Sequence, residues 1–230
     1  MERDSRLAVK YKPVFMMDKM EPFEITAIGY TLFYETSQSD SFPKREIVID
    51  KSSIKYAIEY AVWFDYDIQH LYELEHVWVY IGHDEAVCHV EGSFHGKYLT
   101  MVDLDTGVPV LEQETHPVVC LQPGKHAVLP DQRLVRLVPG WKECCMEQAG
   151  ADGLLIQDMF RERIEDHPEL QDMVRAYIRK QYAFIPSMEF QAFRPGEDLF
   201  MPWRELKSSI PDRINRQLEV IRQKKAKKSR

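Results

Sequence analysis

Between Tyr11 and about Leu137 the apolar positions recur at every second residue in short runs broken by turn residues. That period predicts strands over Val14–Met17, Ile25–Tyr34, Glu46–Ile49, Tyr56–Phe64, Leu74–Ile81, Ala86–Phe94, His116–Leu121 and Leu134–Leu137. Gly82-His83-Asp84-Glu85 has the chemistry of a hairpin turn, which makes the strands on either side antiparallel neighbours. Asp105-Thr106-Gly107 and Gln122-Pro123-Gly124 predict further turns. After Trp141 the period changes to that of a helix, over Ala151–Arg163, Pro168–Phe184 and Pro211–Lys225, where Ile214, Leu218 and Ile221 share a face. Ser187–Pro202, rich in Phe and Pro, reads as an ordered loop wrapping the body.

Strands first and helices afterwards describe an α+β chain. The expected architecture is an antiparallel, jelly-roll-like β-sandwich over residues 1–140, with a helical extension over 141–230 packed on the same domain. At 230 residues, with 44% hydrophobic and 29% charged positions, the chain is long enough to bury a real core.

Charge and cysteine content narrow the function classes. A net charge of −7 argues against nucleic acid as the main partner, because phosphate binding needs a basic surface. The basic run Lys224–Arg230 reads as a solvated helix end. The charged start, Met1–Arg6, does not resemble a signal peptide, and no apolar run is long enough to span a bilayer, so a cytoplasmic location is expected. The cysteines, Cys88, Cys120, Cys144 and Cys145, lack C-x-x-C spacing and are expected to be free thiols.

The chemistry concentrates around residues 65–76. A strand through Glu73-Leu74-Glu75-His76-Val77-Trp78-Val79 puts both glutamates on the side of Val77 and Val79. Burying two carboxylates beside an apolar face costs several kcal/mol for each uncompensated ion, about what a bound cation would relieve. The competing reading turns Leu74, Trp78 and Tyr80 to the core and leaves the glutamates in solvent. The density of ligand types nearby favours the metal: His70 at the strand start, Asp65 and Asp67 upstream, His95 at the end of the next strand. Paired carboxylates suit magnesium, calcium or manganese, and the His70 imidazole shifts the preference toward manganese, iron or zinc. Hairpin register decides whether His95 joins. A four-residue loop sets Phe94 opposite Glu73, whereas a five-residue loop sets His95 and Ser93 opposite Glu73 and Glu75. His126, presented after the Gly124 turn, is a candidate proton shuttle.

Three segments together resemble one superfamily. Gln69-His70-Leu71-Tyr72-Glu73-Leu74-Glu75 is similar to the Gly-His-Arg-His-Asp-Trp-Glu heptapeptide of the necrosis- and ethylene-inducing-like proteins, and to the Asp-Trp-Glu-His core of the vacuolar-sorting-protein-62-like family. Ser93-Phe94-His95-Gly96, His116-Pro117-Val118-Val119 and Gly124-Lys125-His126-Ala127 match the segments that follow that core in the latter family. The resemblance runs from about Tyr11 to Pro130 and implies a β-sandwich with surrounding helices. Carried over by position, it implies a divalent ion on His70, Glu73 and Glu75, with Asp67 or Asp65 as the upstream acid. Gln69, Leu71, Tyr72, Glu73 and Leu74 depart from the heptapeptide, yet each implied ligand keeps an oxygen or imidazole donor. Toxin activity is not implied, because no secretion signal or oxidised cysteine pair is present.

Two functions follow as expectations. In the first the ion binds an anionic or polyhydroxylated ligand, such as a glycan or a lipid head group. In the second it activates a water for hydrolysis, with His126 or His95 moving the proton.

Overall fold

The computed structural model describes residues 2–228, with side chains through Lys225. Ser229 and Arg230, the last of the basic run, lie outside the described residues. Two sheets face each other. The larger has the order β13-β2-β5-β6-β7-β8, and the second runs β11-β10-β1-β12 with β9 also paired to β10. Its longest members are β5 (Ile54–Tyr66) and β6 (Leu71–Gly82), antiparallel along most of their length and flanked by β2 (Ile25–Phe33), β7 (Val87–Phe94) and β8 (Lys97–Thr100). In the facing sheet β1 (Val14–Asp18) pairs with β10 (His116–Leu121), which pairs in turn with β11 (Val128–Leu129) and β9 (Leu111–Glu112). A separate two-stranded ribbon joins β3 (Ser37–Gln38) and β4 (Glu46–Ile47).

The α+β sandwich is as expected, with two departures from antiparallel pairing. β1 runs parallel to β10, and β13 (Phe200–Pro202) runs parallel to β2. Both pairings join strands more than 100 residues apart, so no short turn dictates their direction.

β6 is covered on both faces, and every residue in it except Glu73 is buried. Val77, Val79 and Ile81 belong to the main core with Phe15, Leu121 and Val128 of the other sheet, while Trp78 and Tyr80 pack under Phe33, Ile47 and Ile49. The two sequence readings of this strand are therefore not exclusive, because each face finds an apolar layer.

The C-terminal helices share the same core. α2 (Pro168–Tyr182) buries Leu170, Val174 and Ile178, and α3 (Trp203–Lys228) lays Leu206, Ile210, Ile214, Leu218 and Ile221 inward. α3 begins eight residues before the expected start and carries Pro211 inside it. Continuous burial on either side of the proline outweighs the lost backbone hydrogen bond. The first residues form α1 (Glu2–Lys10), which the strand pattern after it did not announce.

Three local expectations are corrected. Leu134–Leu137 is not a strand but part of a 3-10 helix, Gln132–Leu137, because the Asp131 carboxylate accepts from Arg133 N at 2.6 Å and turns the chain. Ala151–Arg163 is not an α-helix: it runs extended into a 3-10 turn at Asp158–Arg163, its first backbone groups bonding to Ile68–Leu71 instead of to each other. Ser187–Pro202 does wrap the body, but it contributes β12 (Phe190–Phe193) to one sheet and β13 to the other. All four cysteines are free.

Candidate metal centre

The turn from β5 to β6, Asp67–His70, is held on two sides. Ile68 N–H donates to Gly124 O at 2.8 Å on one side; on the other, Gly150 N–H reaches Ile68 O at 2.7 Å and Leu71 N–H reaches Gly153 O at 2.7 Å. Gly150 takes a φ of 74°, which a side chain would strain, and this lets the strap lie close. The Asp67 side chain closes the turn from inside, its Oδ1 accepting from Gln69 N–H at 2.7 Å.

Within this clamp Asp67, His70 and Glu73 each offer a ligand atom, all within 4.8 Å of one another. His70 Nε2 lies 3.6 Å from Asp67 Oδ1 and 3.5 Å from Glu73 Oε2. Asp67 is fully buried, and its Oδ2 has no hydrogen-bond partner among the described residues; neither has His70 Nδ1. A buried carboxylate oxygen with no donor is costly, and it is the atom a cation would satisfy.

The residue before Glu73 is conformationally unusual. Tyr72 has a φ of 56° within a strand, an uncommon state for an aromatic side chain. Its ring stacks on Trp63 at 4.9 Å and its hydroxyl accepts from Gln157 N–H at 2.8 Å, contacts that hold the bend.

Asp65 stays outside this group. Its carboxylate accepts from Trp63 Nε1 at 2.9 Å and from Gln217 Nε2 at 3.0 Å, on the side toward α3. The upstream acid beside His70 is thus Asp67.

Glu75 and His95 are placed by a β-bulge. The hairpin starts in the five-residue-loop register, Ile81 opposite Val87, then shifts so that Tyr80 faces His89 and Val77 faces Gly92. Past Gly92 the two strands part. Ser93 sits between them, its hydroxyl accepting from His76 N–H at 2.6 Å and donating to the Glu75 carboxylate. The gap is a cleft of about 430 Å³ whose lining includes His70, Glu73, Glu75, His76, His95 and Lys125. His95 therefore faces the cleft without lying opposite Glu73, and its Nε2 is bonded to Gln122 Oε1 at 2.9 Å. Burial, then the neighbouring Glu73 charge, pushes the Glu75 carboxyl well above the usual carboxylate range. Glu75 lies beside Asp67, His70 and Glu73 but is not one of the residues whose ligand atoms converge.

His126 is closed off. Its ring stacks on Phe64 at 3.8 Å, meets Phe23 edge-on at 5.6 Å, and approaches Glu21 Oε1 at 3.4 Å, with no exposed surface.

Lys125 is the residue the sequence reading passed over. Its Nζ lies 2.8 Å from Asp67 Oδ1 and its side chain is 12% exposed. Burial would lower the pKa of this ammonium, but the charges of Asp67 and Glu73 outweigh that and raise it. Burial likewise works against the Asp67 carboxylate, and His70 and Lys125 hold it ionised below its usual range. A lone cation between Gly124 and His126 was the available signal, given a surplus of buried acids.

No family model, curated protein or solved structure matches this chain. Among the described residues no helix is long and apolar enough to cross a membrane.

Proposed function

We propose that the protein binds one divalent cation through Asp67, His70 and Glu73, and that the ion presents an open coordination face to a ligand in the adjoining cleft. The observation that supports this is that ligand atoms of Asp67, His70 and Glu73 come within 4.8 Å of one another, at a buried carboxylate whose second oxygen, Oδ2, has no donor among the described residues. Two carboxylates and one imidazole suit manganese or magnesium, with calcium, zinc and iron as further candidates. Three protein ligands leave room for water or for hydroxyl, carboxylate or phosphate oxygens. The ligand class is an anionic or polyhydroxylated molecule such as a glycan or a lipid head group. The resemblance to the necrosis-inducing and vacuolar-sorting-protein-62-like proteins points the same way.

The binding reading is favoured over hydrolysis by the fate of the two histidines. A general base must reach the proton it removes. His126 is stacked under Phe64 with no exposed surface, and His95, bonded through Nε2 to Gln122, is not among the residues whose ligand atoms converge on the metal site.

Metal content of protein purified without chelator, followed by calorimetric titration with manganese, tests the proposal. One equivalent of divalent ion is expected, with affinity reduced at least about tenfold in Glu73→Gln and in His70→Gln. No stoichiometric ion, or equal affinity in an Asp67→Asn/Glu73→Gln double variant, refutes it. A glycan and lipid array read with and without chelator then identifies the ligand.

A further inference from the structure

A second cavity lies far along the chain from the metal ligands, in the groove between α2 and α3. Met173, Ala176 and Tyr177 line it from α2, at the spacing of one helix face, and Ile221 lines it from α3. It encloses about 350 Å³, within the range of roughly 300–1,000 Å³ usual for small-molecule pockets.

Its rim is cationic in a chain whose net charge is −7. Lys180 and Lys224 stand at the opening, and among the described residues neither pairs with a carboxylate. Two neighbouring cations are matched: Arg175 pairs with Asp172 at 3.0 Å and Arg222 with Glu165 at 2.6 Å. Asp172, the one carboxylate at the rim, is therefore already engaged. The Lys224 ammonium instead bonds the Tyr177 hydroxyl at 3.0 Å and sits 5.0 Å from that ring's centre.

An apolar floor beneath unmatched ammonium groups calls for an occupant with an apolar body and an anionic end. Among the described residues the walls span 172–181 of α2 and 221–225 of α3. We propose that this groove binds a fatty acid, its chain on Met173, Ala176, Tyr177 and Ile221 and its carboxylate between Lys180 and Lys224. Among the described lining residues Tyr177 and Gln181 are the neutral polar ones, few partners for the glycerol of a lysophospholipid, which favours the bare carboxylate.

Calorimetric titration of the full chain with octanoate, decanoate and dodecanoate below their micellar concentrations tests this. Saturable 1:1 binding is expected, tightening about fourfold for each added methylene, the equivalent of about 0.8 kcal/mol. Dodecanol and dodecylammonium should bind at least about tenfold more weakly than dodecanoate. A Lys180→Glu/Lys224→Glu variant should reverse the order of dodecanoate and dodecylammonium, and Ala176→Trp should abolish binding with an unchanged circular dichroism spectrum. Indifference to head charge, non-saturating uptake, or undiminished binding in both variants overturns the proposal. So does tighter binding of dodecyl phosphate than of dodecanoate, which assigns the site to a phosphate-headed lipid. Sedimentation showing a dimer that Ala176→Trp dissociates makes the groove a self-association surface and also overturns it.

Discussion

Replacing Lys125 by Met keeps most of the apolar stem of the side chain and removes its ammonium, with the charge and the hydrogen bond to Asp67. In the absence of a metal ion this ammonium is the nearest full positive charge to Asp67, at 2.8 Å, and Asp67 has no exposed surface. Breaking a buried pair by deleting one partner costs about 3–5 kcal/mol, because the remaining charge is left without compensation. The His70 ring, whose Nε2 lies 3.6 Å from Asp67 Oδ1, stays beside the carboxylate in the variant and offsets part of that cost. The chelated variant should therefore lose about 2–4 kcal/mol in urea unfolding.

A divalent ion on Asp67, His70 and Glu73 shares the Asp67 carboxylate with the ammonium in the native protein, and has it alone in the variant. Mass action stabilises a protein by about 2.7 kcal/mol when ligand stands at a hundredfold excess over its dissociation constant. At one fixed manganese concentration the increment should be larger in Lys125→Met than in the native chain. A loss below about 1 kcal/mol in chelator would mean that Lys125 is not what neutralises Asp67. Equal manganese increments in the two proteins would mean that ammonium and ion do not compete, and the reasoning would fail.

Acid should act through His76, whose burial depresses its pKa to about 3. Between pH 6.5 and 3 the unfolded chain takes up a proton that the folded chain refuses, so this group's contribution to stability falls as pH falls, by about 1.4 kcal/mol per unit. The raised carboxyls Glu59 and Glu75 act in the opposite sense, so the measurement is the difference between the native protein and His76→Phe. That difference should shrink progressively below pH 6.5, and parallel profiles for the two proteins down to pH 4 would rule it out. Gly92 marks where β7 lies against β11, and a Cβ there would come within 2.5 Å of Val128 Cγ1. Gly92→Ala should cost about 1–3 kcal/mol by overpacking, and thermal unfolding unchanged from the native protein would contradict this account of the sheet contact.

Much of the fold is legible in local periodicity. Alternation marks β2, β5, β6, β7 and β10 to within a few residues, and the helical stripe marks α2 and the second half of α3. Where this failed, backbone groups had found distant partners. Ala151–Arg163 carries apolar positions at helical spacing but its first residues bond to Gln69 and Leu71, and Phe190–Phe193 reads as loop yet pairs with β1. The site follows the same division. That residues 65–76 hold enough carboxylate and imidazole to bind a cation is a property of composition and strand period, and it can be read from the chain alone.

Which of those groups meet was decided by tertiary structure. The bulge at Tyr80 and Ile81 resets the register of β7 against β6, the strands part past Gly92 to open the cleft, and Trp63 and Gln217 draw Asp65 away. The Gly124 turn aims Lys125 at Asp67 while its neighbour His126 is sealed under Phe64. A strand's period specifies which residues share a face, but register and neighbouring loops specify what that face touches. Those depend on contacts between residues as far apart as Lys125 and Asp67 or Gln217 and Asp65, on which the local pattern is silent.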